Sequence, residues 1–165
     1  KVAEAYKLGA QAANPDVKVL IAYTGSFTDI ALAKEAAQAM IDSGADVIAH
    51  GANTGGNGVI AACQENGIYA MGAASDQNYM APDTVVCSDS YSYGDVLIYI
   101  VGQYVKDGVI PMGTESYGFA QGIVKLSPFY CNVVSDELAS EVDSMIQQIV
   151  AGSLVVPIVE TPSAN

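Results

Sequence analysis

The stretch Asp46-Val-Ile-Ala-His50-Gly-Ala-Asn53-Thr-Gly-Gly-Asn-Gly58 places a short apolar run directly before a glycine-rich loop. The stretch Ile68-Tyr-Ala-Met-Gly72-Ala-Ala-Ser75-Asp76-Gln77 repeats this order, with an apolar run followed by a polar loop. In an open parallel α/β sheet, loops of this kind follow the carboxyl ends of strands and border a crevice in which ligands bind. The two stretches therefore favour a parallel sheet and a protein that binds a small molecule.

The pattern on either side of these stretches alternates between helices and strands. Apolar side chains at helical spacing predict helices over residues 2–13, from a cap at Thr28 to Gly44, over residues 55–65 and 95–106, and from Ser135 to just before Gly152. Short apolar runs predict strands at residues 17–23, 46–49, 68–71 and 84–87. This βαβαβ order predicts the α/β class, with right-handed crossovers and a doubly wound parallel sheet.

The last third of the chain does not continue the alternation of helices and strands, because glycine and proline interrupt it repeatedly. Residues 116–119 and 123–126 are interpreted as a small hairpin or as two edge strands, and residues 155–165 as an edge strand or a linker. The length of 165 residues suits one packed unit and does not by itself require a second domain.

Composition excludes several classes of protein. Half of the residues are apolar, 51%, and 15% are charged, which favours a packed core over disorder. The net charge of -12 and the absence of any Lys/Arg cluster argue against nucleic acid as a partner. No apolar run reaches the roughly 18 residues that a membrane span needs. Cys63, Cys87 and Cys131 fit no metal-binding spacing and are interpreted as small apolar residues, which leaves the redox compartment open.

The glycine-rich loop at residues 51–58 lacks the features of a phosphate site. No Lys follows the glycines as it does in a P-loop, and the G-x-G-x-x-G fingerprint is absent. We therefore expect no nucleotide cofactor and no metal. What remains is backbone that a ligand can approach closely, with the Asn53 amide as donor and acceptor, or else a tight turn in which Asn53 or Thr54 caps the next helix.

Polar and aromatic residues near the strand ends are the candidate ligand contacts. Asp76 is placed to accept a hydrogen bond from an amine, a ring N–H or a sugar hydroxyl, or else to form a turn. Phe27, Tyr91 and Tyr93 are rings that could stack on a flat ligand or belong to the core. His50 is the single histidine, and a structural or ligand-facing role is favoured over general-base catalysis.

Five segments resemble one family of proteins. They are Asn14-Pro-Asp-Val-Lys-Val-Leu, Tyr23-Thr-Gly-Ser-Phe27, Ala39-Met-Ile-Asp-Ser-Gly-Ala-Asp-Val-Ile48, Gly72-Ala-Ala-Ser-Asp-Gln77 and Gly122-Ile-Val-Lys-Leu-Ser-Pro-Phe129. Together they are similar to the basic membrane protein family of substrate-binding lipoproteins, which are type I periplasmic-binding-fold receptors of ABC importers for purine nucleosides. The resemblance runs from about residue 1 to residue 152.

The resemblance implies a protein of two lobes, of which this chain is the later part. Residues 1–86 would be mainly the C-terminal lobe, residues 87–113 a hinge crossing with a helix that contributes to the first lobe, and residues 114–165 the return to the C-terminal lobe. The front half, with the export signal and the lipid-anchored cysteine, would precede Lys1, which is not an initiator methionine. The family further implies an extracytoplasmic cell-membrane lipoprotein, held at the membrane through that anchor and delivering its ligand to an ABC transporter permease.

The resemblance also assigns roles to individual residues. Phe27 matches the aromatic that stacks on the base. Nucleoside-binding members usually read Gly-Val-Asp-x-Asp-Gln in the loop at Gly72 and have a lysine after the next strand, whereas this chain has Ala74 and, approximately, Tyr91 at those places. A branch with a histidine at the end of the Gly51-region strand, Ala-Ser-Asp in the second loop and an aromatic near Tyr93 is associated with free purine bases, which favours a nucleobase over a nucleoside.

The favoured hypothesis is a non-catalytic binding subunit without cofactor, in which an interlobe cleft captures a purine base or nucleoside. The expected ligand contacts are Phe27, His50, Asn53, Ser75, Asp76, Tyr91 and Tyr93. Two alternatives stay open: a ligand-sensing regulatory or signalling protein of the same fold, and a nucleotide- or nucleoside-processing α/β enzyme in which His50 and Asp76 act as acid and base.

Overall fold

The fold, a computed structural model that describes residues 2–110 and 112–159, is a four-stranded sheet flanked by helices. The helices are α1 (Val2–Ala13), α2 (Ile30–Asp42), α3 (Gly56–Asn66), α4 (Tyr93–Asp107) and α5 (Asp136–Val150). The strands are β1 (Val47–Ala49), β2 (Tyr69–Gly72), β3 (Val85–Tyr91) and β4 (Val124–Leu126). Short 3-10 turns lie at Asn53–Gly55, Asn78–Met80 and Phe119–Gln121. No helix within the described ranges is both long and apolar enough to cross a bilayer.

The strands lie in the order β1-β2-β3-β4. The first three are parallel to one another, with Ile48 opposite Ala70 and Met71 opposite Cys87. Strand β4 runs antiparallel to the second half of β3, with Ser90 opposite Lys125. The carboxyl ends of β1, β2 and β3 therefore share one edge of the sheet, as the sequence predicts, and β4 closes the β3 side.

The core lies between this sheet and the helices α2 and α3. Small side chains dominate it, and the most enclosed larger ones are Ile60, Val85 and Cys63. Gly58 allows the two helices to approach closely, because a Cβ atom on Gly58 would overlap the carbonyl oxygen of Ile30. The ion pair between Lys34 Nζ and Glu65 Oε1, at 2.6 Å, joins the same two helices at the surface.

Residues 17–23, a predicted strand, do not belong to the sheet. Their composition favours an extended backbone, but a strand also needs a neighbour with which to exchange backbone hydrogen bonds. Leu20 and Tyr23 are exposed, so the segment lacks the packing that its apolar pattern predicts.

Residues 116–119 and 123–126 are predicted as a small hairpin or as two edge strands, and only the second segment forms a strand, at the edge of the sheet. Residues 116–118 are irregular, and Phe119–Gln121 forms a 3-10 turn that Gly118 N–H stabilises by donating to Gln121 Oε1 at 2.9 Å. Strand β4 exists, but its partner is β3. Because of this pairing, β3 continues to Tyr91 instead of ending at Cys87 as predicted. The described part of the tail, up to residue 159, contains no strand, and residues 160–165 lie outside the described residues.

The helices agree with the sequence to within a few residues, and three of them begin at a side-chain cap. Asp29 rather than Thr28 caps α2 by accepting from Leu32 N–H, and Ser92 and Ser135 cap α4 and α5 in the same way. The prediction that Asn53 or Thr54 caps α3 is wrong, because the 3-10 turn continues directly into α3 without a side-chain cap.

Candidate functional site

The candidate site lies at the edge formed by the carboxyl ends of the parallel strands. Two loops build it: the β1 loop, residues 50–55, and the β2 loop, residues 73–77. Gly55 N–H donates to the carbonyl oxygen of Phe27 at 3.1 Å, which places Phe27 beside the β1 loop. Tyr91 N–H lies 3.5 Å from the carbonyl oxygen of Ala74, which places the end of β3 beside the β2 loop. Predicted ligand contacts from four separate parts of the chain therefore meet at one edge.

Gln77 joins the two loops from inside the protein, where it is 7% exposed. Its Oε1 accepts from Ala73 N–H at 2.8 Å and lies 2.9 Å from His50 Nε2. Because the backbone N–H of Ala73 can only donate, the oxygen of the Gln77 amide must be the atom that faces it. The same oxygen then takes its second hydrogen bond from His50, so the His50 Nε2 atom carries the proton.

His50 is a neutral imidazole in this arrangement. Its Nδ1 faces Ala52 N–H at 3.5 Å, and its ring packs directly on Gly56, where a Cβ atom would overlap it. Burial lowers the pKa of His50, and this effect outweighs the Gln77 hydrogen bond and the charge of Asp89, which raise it. The ring is thus held inside the β1 loop, and a direct contact between His50 and a ligand stays a prediction.

The network continues from Gln77 across the rest of the sheet. Gln77 N–H donates to Ser88 Oγ at 3.1 Å, and Ser88 N–H donates to Ser127 Oγ at 2.9 Å. Ser127 N–H in turn donates to the carbonyl oxygen of Ser88 at 2.9 Å. One series of hydrogen bonds, the polar relay of His50, Gln77, Ser88 and Ser127, therefore connects the loops after β1 and β2 with the middle of β3 and the end of β4.

A cavity of about 230 Å³ opens beside the β2 loop. Its lining contains three of the predicted contacts, Ser75, Asp76 and Tyr91. It also contains Ser90, Asp95 and Lys125, which sequence reasoning missed. The lining does not include Phe27, His50, Asn53 or Tyr93, whose ligand contacts stay predictions.

Asp76 already has partners within the protein. Its Oδ1 accepts from Asn78 N–H at 3.1 Å, and its Oδ2 accepts from the Tyr130 hydroxyl at 2.6 Å. The hydrogen bond to Asp76 raises the pKa of Tyr130. The turn-forming role and the ligand-binding role were alternatives in the sequence, and the geometry accommodates both, since each carboxylate oxygen can accept a further hydrogen bond.

Lys125 supplies a cation at this site. The family comparison in the sequence had indicated that the usual lysine is absent, with Tyr91 at about its position. The Lys125 Nζ atom lies 3.0 Å from Asp95 Oδ2, at the start of α4. Lys125 pairs with Ser90, so it reaches the cavity from the strand beside Tyr91. No signal in the sequence indicated this, because the antiparallel pairing of β4 with β3 was not predicted.

Exposed aromatic rings surround these polar groups. Tyr91 and Tyr93 meet edge to face, with ring centroids 6.0 Å apart, and they are 45% and 77% exposed. Phe27 is 68% exposed. Rings of this size are usually packed against something, so their exposure at one edge fits contact with a flat ligand.

Asn53 has a backbone conformation that non-glycine residues adopt rarely, with φ +49°. Its side-chain amide makes no hydrogen bond to any described residue. Among residues 2–110 and 112–159, no group of three or more His, Cys, Asp or Glu side chains is placed to hold a metal ion.

Comparison with known proteins places this geometry in context. The Bmp family model, described as PnrA-like ABC transporter substrate-binding protein, matches residues 1–160. Basic membrane protein A of Borreliella afzelii is 33% identical over 161 aligned positions, covering 92% of this chain and 47% of that protein. A purine-binding protein of Brucella abortus is 33% identical over 144 positions, covering 86% of this chain and 40% of that protein. The chain thus spans about half the length, or less, of these relatives.

Solved structures show the same fold. A transcriptional activator of the comK gene from Bacillus halodurans superposes with a TM-score of 0.79 and 24% identity, covering 88% of this chain and 50% of that one. An ABC transporter solute-binding protein from Aeropyrum pernix superposes with a TM-score of 0.72 and 20% identity, covering 93% and 52%. These similarities confirm the predicted α/β fold with a mostly parallel sheet. The matched family consists of substrate-binding proteins, which also confirms the prediction of a non-enzyme.

Proposed function

This chain belongs to the Bmp family of ABC transporter substrate-binding proteins, and on that premise we propose that it is part of a receptor that captures a purine base or nucleoside for import. The observation that carries the proposal is the cavity beside the β2 loop, which combines a carboxylate, hydroxyl groups, an ion pair and an aromatic ring without a catalytic constellation. A purine offers flat faces for stacking and several edge donors and acceptors, and these groups match that lining.

The individual contacts follow from this chemistry. Asp76 accepts from an exocyclic amine or ring N–H of the purine, and Ser75 and Ser90 supply hydroxyl groups. Lys125 donates to a purine carbonyl or ring nitrogen while Asp95 balances its charge. Tyr91, Tyr93 and Phe27 cover the faces of the ring, and the Asn53 amide and His50 complete the polar rim. Contacts of this number can supply the free energy of a low-micromolar complex, about -8 kcal/mol.

The second wall of the site belongs, in this proposal, to a first lobe outside the chain. Residues 1–86 are mainly the C-terminal lobe, residues 87–113 the hinge crossing with a helix that joins the first lobe, and residues 114–165 the return. Support comes from the exposed large apolar side chains of α4 and from relatives about twice as long as this chain. The whole protein is an extracytoplasmic lipoprotein that presents its ligand to an ABC permease.

The direct test is calorimetric titration of the natural, full-length protein with adenine, guanine, adenosine and guanosine, and with uracil as a non-purine probe. We expect low-micromolar binding of at least one purine and at least tenfold weaker binding of uracil. Replacing Asp76 by Asn should weaken purine binding tenfold or more, because an amide cannot replace both accepting oxygens of a carboxylate. Asp83→Asn is the matched control, since the Asp83 side chain is outside the cavity lining.

Absence of heat and of any melting shift with all four purines would refute the purine proposal. Import is tested separately, by uptake of labelled purine into cells that lack the gene and cells that carry it. Tight binding with equal uptake in both strains would favour the ligand-sensing alternative over a role in transport.

A further inference from the structure

We propose that Gln77 is the positioning residue of this binding edge, and that its side-chain oxygen fixes the β1 loop and the β2 loop relative to each other without touching the ligand. This inference rests on the proposed purine site and adds a determinant of affinity to it. It is carried by the polar relay, in which one oxygen atom serves both loops.

The first step of the argument is the position of Gln77 in the chain. It directly follows Ser75 and Asp76, two residues of the cavity lining, while its own side chain points away into the protein. The Oε1 to Ala73 N–H bond closes the β2 loop on itself, from its last residue to its first. The conformation in which Ser75 and Asp76 face the cavity is therefore held by this bond.

The second step is the link to the other loop. The His50 ring has little freedom of its own, because it rests against Gly56 and an added Cβ there would overlap it. Its Nε2–H donates to the oxygen that holds the β2 loop. Any displacement of that oxygen consequently acts on the β1 loop, which carries Asn53 and contacts Phe27 through Gly55.

The third step is that no described group substitutes for Gln77. Gly72 leaves room for the Gln77 side chain and for Ser88 Oγ, both of which an added Cβ would contact too closely. The other polar contact of the Gln77 amide, from Nε2 to Met80 Sδ at 3.8 Å, is a weak one. If the oxygen is removed, Ala73 N–H and His50 Nε2–H lose their acceptor in a half-buried place, and we expect both loops to rearrange to recover hydrogen bonds.

The test compares two substitutions of the same residue in the full-length protein. Gln77→Leu keeps most of the volume and removes the oxygen, whereas Gln77→Glu keeps an oxygen that accepts from both donors. We expect Gln77→Leu to weaken purine binding at least tenfold at unchanged stoichiometry, and Gln77→Glu to stay within threefold of the unsubstituted protein at pH 7. Gln38→Leu is the matched control, since Gln38 bonds to Asp42 and Asn66 on the far ends of α2 and α3.

A readout independent of binding comes from His50, the single histidine of these 165 residues, whose imidazole signal in the full-length protein is identified by its loss in His50→Gln. NMR titration should show a raised His50 pKa in Gln77→Glu, because the carboxylate stabilises the imidazolium. Backbone amide signals of both loops should shift in Gln77→Leu, and those of α5 should not.

Each outcome decides between the two proposals. Equal purine affinity of Gln77→Leu and the unsubstituted protein would overturn the positioning role, and so would a Gln77→Glu protein that binds as weakly as Gln77→Leu. If the unsubstituted protein binds no purine, the purine proposal fails. The link between the β1 loop and the β2 loop through Gln77 is then tested by NMR alone, and unshifted β1 loop amide signals in Gln77→Leu would overturn it. If Gln77→Leu does not fold, the affinity and the His50 titration of Gln77→Glu decide.

Discussion

At the scale of single residues, the sequence indicated which side chains stand at the strand ends but not how they are engaged. His50 and Asp76 were recognised from their positions after short apolar runs. Their partners, Gln77 and Tyr130, come from 27 and 54 residues away in the chain, and no local pattern reports such contacts. Gln77 ends the Ser-Asp-Gln segment, but the sequence does not indicate its role, because a buried amide has no periodicity or spacing that identifies it.

The neutral state of His50 gives a prediction about pH. Burial lowers the pKa of His50 in the folded protein below its ordinary value of 6.5, so the unfolded chain binds more protons as the pH falls through this range. The contribution of His50 to the free energy of unfolding is therefore complete above pH 6.5 and is lost as the pH falls towards the lower, folded-state pKa. Urea unfolding between pH 7.5 and 5.5 measures this loss.

His50→Gln is the comparison for that measurement, since it removes the only imidazole of the chain. Its stability should change less with pH over the same interval. A wild-type protein with the same pH dependence as His50→Gln would contradict the neutral, internally bonded histidine.

Cysteine reactivity gives a second prediction at this scale. Cys63 is fully buried, and burial raises the pKa of its thiol to about 11, so almost no thiolate forms at pH 8. We expect iodoacetamide at pH 8 to leave Cys63 unmodified in the folded protein and to modify it after unfolding in urea, as measured by peptide mass spectrometry. Cys131, which is partly exposed, should react earlier, and faster labelling of Cys63 than of Cys131 would contradict the packing.

At the scale of elements, helices were predictable and peripheral strands were not. A helix satisfies most of its hydrogen bonds within itself and carries its caps in the local sequence, as Asp29 and Ser135 show. A strand depends on a neighbour that the sequence does not name. The segment at residues 17–23 is predicted as a strand from its β-rich composition and has no place in the sheet, while β4 is predicted as half of a hairpin or as an edge strand, without its partner β3.

The contact between α2 and α3 gives a prediction for Gly58→Ala. The added methyl group would overlap the Ile30 carbonyl oxygen and lie 3.0 Å from Lys34 N, and backbone cannot move aside as a side chain can. We expect a loss of about 3 kcal/mol in the free energy of unfolding, the upper part of the range for overpacked cores. Denaturant unfolding measures it.

Gly102→Ala is the matched control within α4, because no described atom lies within 4 Å of the added Cβ apart from the adjoining residues and backbone of its own helix. Helix propensity alone should then act, with a gain of about 1 kcal/mol. Equal effects of the two substitutions would show that the α2 to α3 contact is looser than the structure has it.

At the scale of the whole molecule, the most conspicuous surface is the apolar side of α4. Leu97, Ile98, Val101 and Val105 are between 57% and 78% exposed, and their spacing puts them on adjoining faces of one helix. Proteins rarely leave a continuous apolar area of this kind in water. In the proposed two-lobe protein, the first lobe covers it.

Ile98→Asp tests whether the first lobe packs on this side of α4. In the chain of 165 residues by itself, Ile98 is 73% exposed, so the substitution should change the melting temperature little. In the full-length protein it should lower the melting temperature by several degrees, because a charge would be buried without a partner. Tyr79→Asp is the control, at a residue that is 78% exposed and belongs to the 3-10 turn Asn78–Met80. An unchanged melting temperature of the full-length Ile98→Asp protein would contradict the packing of the first lobe on α4.

The lining of the cavity has an electrostatic consequence for the binding of phosphorylated ligands. Asp95 already neutralises Lys125, which leaves Asp76 as a carboxylate without a compensating cation in the lining. A nucleotide that offered its purine to these groups would bring two or more negative charges towards a carboxylate, on a chain of net charge -12. At contact distances, physiological salt does not screen this repulsion. Selection between phosphate-free purines and nucleotides would thus arise from the charge of the lining itself, with no need for a steric barrier.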